Sequence, residues 1–310
     1  MKPLLFTSLI AGAGGGAPAG PSDPPFTWTD SLLYRFCAGD GALRDADGTP
    51  AGDGDGVAVW RNLGAGEDAV QIDPARRPTL RTGGLNGRAC LACDAALQQH
   101  FADLAFSQPS GTTTLRPFTV FAVTDAVGAL ETFPALLGSP ASNGGKAALY
   151  FRAPAGAQIH LAKSEVRVGH VTNPQLLMAA AGRSAAGTTQ DPRRRFWIRQ
   201  NLVPLHDAED AATTLVSTAI AATELLRSTG TSTGGHFHGH LYELLLYDGT
   251  LDDATTHAVE DWLLARYGRD AIVTLARGEL AALRAGCVLR ITHPRVTALR
   301  AGVLLRQETP

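Results

Sequence analysis

The stretch GGHFHGHLYELLLYD, residues 234–248, places histidines at 236, 238 and 240. Side chains alternate along an extended chain, so residues two apart share a face. Three imidazoles on one face are a ligand set for zinc or a similar ion. The same letters also read as a glycine turn feeding a strand. Other groups have the makings of a site. Cys90 and Cys93 have the C-x-x-C spacing of metal and redox centres. Asp40, Asp45, Asp47, Asp53 and Asp55 crowd one glycine-containing stretch, the oxygen-rich setting that calcium favours. Glu243 and Asp248 put two carboxylates on one apolar run, and His206 and Asp207 adjoin in a polar stretch.

Each chemistry has a competing structural reading. The context NGRACLACD reads as a strand, where an odd offset sends Cys90 and Cys93 to opposite faces. No second C-x-x-C completes a zinc site, so both thiols are expected to be buried small hydrophobes. The even set of Cys37, Cys90, Cys93 and Cys287 leaves a disulfide open without arguing for one. The aspartates lack EF-hand spacing, and Asp-Gly is ordinary turn chemistry. Solvated turns are expected there, with calcium as the alternative. Glycoside hydrolysis needs two carboxyls about 5 to 10 Å apart, but Glu243 and Asp248 are five residues apart and fall on opposite faces. No Gly-x-Ser-x-Gly accompanies His206 and Asp207, which are expected alone in a loop.

The histidine face continues as Tyr242, Leu244 and Leu246, and the opposite face carries Leu241, Leu245 and Tyr247. A strand apolar on both sides is covered on both sides. Its entry follows TGTSTGG and is expected at a sheet rim. No carboxylate or cysteine close in sequence completes the ligand set. Exposed or hydrogen-bonded histidines are the expectation, with metal as the alternative. No catalytic, cofactor-binding or metal residue is assigned.

A formal net charge of −2 over 310 residues gives no electrostatic footprint for nucleic acid, and Arg193–Arg195 reads as a solvated turn or strand edge. No run approaches the roughly twenty apolar residues of a membrane span. The start, MKPLLFTSLIAGAGGGAPAG, imitates a signal peptide, but its apolar run is short and broken by glycines. It is expected to be an arm, with a glycine- and proline-rich linker at 11–25.

Short runs rich in β-branched and aromatic residues follow, at 31–37, 57–63, 88–94, 115–125, 147–153, 157–170, 194–200 and 240–248, with turn residues between them. The stretch 208–228 is alanine-rich and reads as either helix or strand. LDDATTHAVEDWLLARYG, 251–268, reads as a helix. Val259, Trp262, Leu263 and Tyr267 form one stripe, Asp252 or Asp253 caps the start, and Gly268 ends it. That stripe must pack on the back of the sheets. ALRAGCVLR at 282–290 returns as ALRAGVLLR at 298–306, which predicts a β-hairpin that forms either a small extra sheet or a surface that pairs with another chain. The fold class expected is all-β: a two-sheet antiparallel jelly-roll sandwich with one short C-terminal helix and an extra β-hairpin tail.

The order of these pieces resembles the concanavalin A-like lectin/glucanase superfamily, in its laminin-G-like form found in tailed-bacteriophage proteins. The matching segments are GVAVWRNLGAGEDA, RRPTLRTGGLNGRACLACD, RPFTVFAV and HFHGHLYELLLYDGTLDDATTHAVEDWLLARYG, within about residues 28–268. The resemblance implies a jelly roll and leaves function open, since that fold hosts lectins, hydrolases and structural modules. Glucanase members carry a Glu-x-Asp-x-x-Glu pattern that this chain lacks. Glu243 falls where the family has a structural glutamate.

The expected organisation is an arm and linker over 1–25, a jelly-roll domain over 26–269, and a repeated-strand assembly tail over 270–310. The expected function is that of a non-enzymatic virion protein of a tailed phage, associated with tail, fibre or capsid. It would present a lectin-like module, and host-surface glycan adhesion would follow from that. Copies of itself, other virion proteins and host-surface polysaccharide are the partners; no cofactor is expected. The alternative is a secreted or surface carbohydrate-binding protein of a bacterium, and a glycoside hydrolase ranks third.

Overall fold

The structure, a computed structural model, describes residues 24–102, 104–106, 117–126, 135–138, 149–152, 158–161, 166–169, 179–183, 193–200, 203–211, 224–228 and 235–267. The chain divides into two units, 1–269 and 270–310, and the described residues belong to the first. The arm and the repeated tail lie outside them. In chain order the elements are β1 (Leu32–Cys37), α1 (Ala38–Gly41), β2 (Ala42–Leu43), β3 (Val59–Trp60), β4 (Ala69–Val70), β5 (Thr79–Arg81), β6 (Cys90–Cys93) and β7 (Phe118–Ala126). Then come β8 (Ala135–Gly138), β9 (Leu149–Arg152), β10 (Gln158–Leu161), β11 (Val166–Gly169), β12 (Ala179–Arg183), β13 (Arg193–Gln200) and β14 (Val203–Ala211). The last are β15 (Glu224–Leu225), β16 (Arg227–Ser228), β17 (Gly235–His236), β18 (Gly239–Asp248) and α2 (Asp253–Tyr267).

The fold is the expected all-β sandwich with one short helix packed on it. The first sheet runs β14-β13-β12-β7-β18-β6-β5, with β1 also on β18. The second runs β11-β10-β9-β8-β17-β16, with β15 on β8. A small sheet, β2-β3-β4, stands apart. Among the described residues, strand pairing is antiparallel except for one parallel bridge, His236 to Ala135. Tyr34, Phe36, Trp60, Phe101, Leu244 and Phe237 belong to the core that joins the two main sheets. A second core lies on the other side of β18, where Phe121, Leu245 and Tyr247 meet Val259, Trp262, Leu263 and Tyr267 of α2. The helix thus covers the back of the sandwich with the stripe read from sequence.

The middle of β18 departs from simple alternation. Its register against β7 slips between Leu241 and Glu243. A bulge places an extra residue there and resets which face follows. Leu241 therefore joins Leu244 and Leu246 in the inter-sheet core, while Tyr242 joins Leu245 and Tyr247 beneath α2. This corrects the faces expected from strict period two.

The segments carrying the family resemblance each fasten an edge or the helix. Asn62 Oδ1 accepts from the amides of Arg35 (2.8 Å) and Gly64 (2.9 Å), and its Nδ2 donates to Leu33 O. Leu63, Ala65 and Gly66 donate their amides to β1 carbonyls. The glycine loop thus runs along β1, which is why the run expected over 57–63 is a strand only at Val59–Trp60. A Cβ on Gly64 would meet Leu33 O at 2.6 Å. In the Asn-Gly turn, Asn86 has φ 52, and Asn86 Nδ2 and Arg88 Nε both donate to Arg266 O at the end of α2. In the Pro-Phe-Thr strand, buried Thr119 donates to Gly249 O and accepts from the Leu251 amide, both at 3.1 Å. That fixes the turn from β18 into α2, where Asp252 Oδ1 caps by accepting from the Thr255 amide at 2.6 Å.

Other runs resolve differently from expectation. The run 157–170 contains two strands, β10 and β11, paired antiparallel. The ambiguous stretch 208–228 contains the end of β14, then β15 and β16. Of the two readings offered for Arg193–Arg195, turn or strand edge, the strand holds: they open β13, the strand expected over 194–200, in register with Ala211, Asp210 and Glu209. Gly268 is not among the described residues.

Candidate functional site

The three histidines of the 234–248 stretch do not share a face. His236 lies in β17 of the second sheet, paired with Arg227. Phe237 is fully buried between the sheets. Gly239, at φ +146, begins β18 in the first sheet, and His240 pairs with Ala92 and Asp125. Period two holds only within a strand, and here the chain changes sheets. His238 Nδ1 accepts from the Ala95 amide (3.3 Å) and lies 3.5 Å from Asp94 Oδ1. Among the described residues no three His, Cys, Asp or Glu side chains gather as a metal site.

His236 meets a partner that sequence reading did not single out. Its ring lies 5.7 Å from that of buried His100, centroid to centroid. Arg227 Nη1 is 2.6 Å from His100 Nε2. His100 Nδ1 is 2.7 Å from Gln98 O, and Arg227 Nε is 3.1 Å from Glu224 Oε1, itself buried. Burial is the main cause that pulls the His100 pKa down to about 4. The bond to Gln98 O opposes it, while the positive charge of Arg227, His236 and Arg76 adds to it.

The aspartate stretch resolves into separate turns. Asp45 Oδ1 accepts from the Thr49 amide, Asp55 Oδ2 from Gly52 and Asp53 Oδ1 from Thr82. Asp40 turns the other way, 2.9 Å from Arg266 Nη2. Cys90 and Cys93 are buried thiols on opposite sides of the first sheet, one in each core, and Cys37 is also buried; none of the three is in a disulfide. His206 and Asp207, expected in a loop, lie in β14 and pair with Ile198 and Trp197.

The densest charged constellation surrounds Glu243, which is fully buried. Arg35 Nε lies 3.0 Å from its Oε1. Tyr267 Oη donates to Oε2 at 2.6 Å, and Arg266 Nε lies 3.1 Å from that same oxygen. Arg266 also reaches Cys37 Sγ (3.3 Å) as well as Asp40. Burial and the neighbouring carboxylate both hold the Tyr267 phenol protonated, far above its ordinary range. Trp28 and Trp262 stack on Arg35, 4.8 and 5.3 Å from its Cζ. Another buried acid, Glu260, meets Arg199 at 3.3 Å. Asp248, five residues beyond Glu243, is roughly 17 Å further along an extended chain. Asp40 shares Arg266 with Glu243, but Glu243 is sealed beneath α2 and cannot flank a bond in solvent.

No family model and no curated protein matches the chain. Among solved structures it is similar to domain 4 of AbnA, a GH43 extracellular arabinanase from Geobacillus stearothermophilus, in complex with arabinotriose. The identity is 14%, over 75% of this chain and 98% of that one, with a TM-score of 0.40. It is also similar to an arabinofuranosidase complexed with arabinofuranosyl-alpha-1,2-xylobiose (13% identity, 78% and 60% covered, TM-score 0.41). A third is the Ruminococcus gnavus IT-sialidase CBM40 bound to alpha2,3 sialyllactose (15% identity, 48% and 84% covered, TM-score 0.35).

Proposed function

We propose that the domain is a non-catalytic β-sandwich module that binds glycan. The observation that carries the non-catalytic part is the burial of Glu243 against two guanidinium groups and a phenol. A glycosidase acid or nucleophile must reach the sugar, whereas this carboxylate joins β1, β18 and α2. Glycan as the ligand class is supported by the resemblance in motif order to lectin-like jelly rolls. The finer reading is a tailed-phage virion subunit that presents the module to a host surface. It draws on the same resemblance, together with the apolar first residues and the repeat at 282 and 298 as assembly segments.

Purified full-length protein applied to an array of bacterial surface polysaccharides, with reducing sugar assayed in parallel, tests the reading. Saturable binding without sugar release is expected. Release that is lost in Glu243→Gln would overturn it. Mass spectrometry of purified particles tests the virion assignment separately.

A further inference from the structure

Both ring nitrogens of His100 are committed. A carbonyl only accepts, so Nδ1 carries the proton donated to Gln98 O. A guanidinium only donates, so Nε2 presents its lone pair to Arg227 Nη1 at 2.6 Å. The two bonds together fix one neutral tautomer. A second proton would set an N–H against an N–H at that distance. The groups facing the ring come from several elements. Arg227 is on β16, His236 on β17 and Arg76 on the turn after β4, while Glu224 on β15 lies beside Arg227. The same short segment is docked by its backbone. The His100 amide donates to Arg76 O, Phe101 to Leu225 O and Ala102 to Val70 O. Phe101 is fully buried in the inter-sheet core.

We propose that the His100–Arg227 contact is an acid-released latch, which holds the 98–102 segment on β15 and β16 only while the imidazole is neutral. The sign follows from the two states of the ring. Above pH about 6.5 the ring is neutral whether docked or released. Below that, a released ring takes a proton that the docked ring refuses, until the docked ring itself titrates at about 4. Release is therefore favoured about tenfold per pH unit between those limits, on the order of 300-fold in all. Opening would withdraw Phe101 from the core and loosen the Asp94–Ala95 turn that meets His238.

The test is nuclear magnetic resonance on the full-length protein. The imidazole signal absent from His100→Gln assigns the ring, and its titration and tautomer are then read in the wild type. Amide exchange at 100–102 is followed from pH 7 to 4 and normalised to β18 amides. An Nδ1-protonated ring that titrates well below 6.5 is expected, with protection at 100–102 falling about tenfold per pH unit. His100→Gln, which can still accept from Arg227, should lose that pH dependence. If this variant does not fold, the ring is assigned in the wild type by through-bond correlation to its own backbone amide, and its titration and the exchange decide. A ring that titrates near 6.5, or is protonated on Nε2, overturns the proposal. So does a low-titrating ring with pH-independent protection at 100–102, which would be a buried histidine without a latch.

Discussion

Arg35 and Glu243, 208 residues apart in the chain, meet at 3.0 Å across the pair β1–β18. The contact depends on the bulge at Tyr242, which turns Glu243 toward α2, where Tyr267 and Arg266 hold its second oxygen. Trp28 and Trp262 flank the Arg35 guanidinium and shield the pair from water. Two strands and a helix are thereby joined at one carboxylate, and the segment before β1 packs through Trp28 on its Arg35 partner.

Replacing that carboxylate should unbalance everything around it. Removing one partner of a buried ion pair leaves the other uncompensated, at a cost of about 3–5 kcal/mol. Glu243→Gln is expected to lower unfolding free energy by that amount in urea titration, with no effect on glycan release because none is expected. A cost below about 1 kcal/mol would show that the network does not hold the helix.

Trp28 is partly buried and meets Phe26, Trp262 and the Arg35 cation. Trp28→Ala should cost about 1–3 kcal/mol through lost packing and cation–π attraction. Trp28→Phe should recover part of it. Equal stability of all three proteins by thermal denaturation would mean that residues before β1 do not clasp the network.

The buried thiols should be inert in the native state. The Cys37 pKa is pushed up to about 11, first by burial and then by Glu243 and Asp40, despite Arg266. Cys93 is driven higher still by burial. Thiolate is the reactive form, so both should escape iodoacetamide at pH 8 and label fully in denaturant. Peptide mapping that finds either one modified in folded protein contradicts this.

His236→Ala combined with His238→Ala tests the metal reading. Loss of the Ala95–His238 bond predicts a cost of about 0.5–1.5 kcal/mol. Chelator should change neither the wild-type nor the variant melting temperature. A stoichiometric metal that disappears in the variant would restore the metal alternative.

The assembly reading turns on residues outside those described. Deletion of 1–20, or of 275–310, should leave a folded sandwich by circular dichroism that no longer assembles by light scattering. Retention of the full-length oligomeric mass by both truncations would refute it, and so would a monomeric full-length protein that binds no virion partner.

Local pattern determined much of this protein. The stripe Val259, Trp262, Leu263 and Tyr267 announces α2 because helical period depends only on near neighbours. The opposite faces of Cys90 and Cys93 follow from an uninterrupted strand, and both thiols lie where parity puts them. The same rule failed for His236, His238 and His240, because the chain leaves one sheet and enters another between them. It failed again at Tyr242, where pairing with β7 on one side and with β6 and β1 on the other accommodates an extra residue. Glu260 and Arg266 received no role from the helical pattern, yet both are buried, since their counter-ions come from elsewhere in the chain. His100 and Arg227, 127 residues apart, carried no signal at all. Bulges, sheet changes and ion partners are set by which distant strands pair, and that is decided only when the tertiary structure closes.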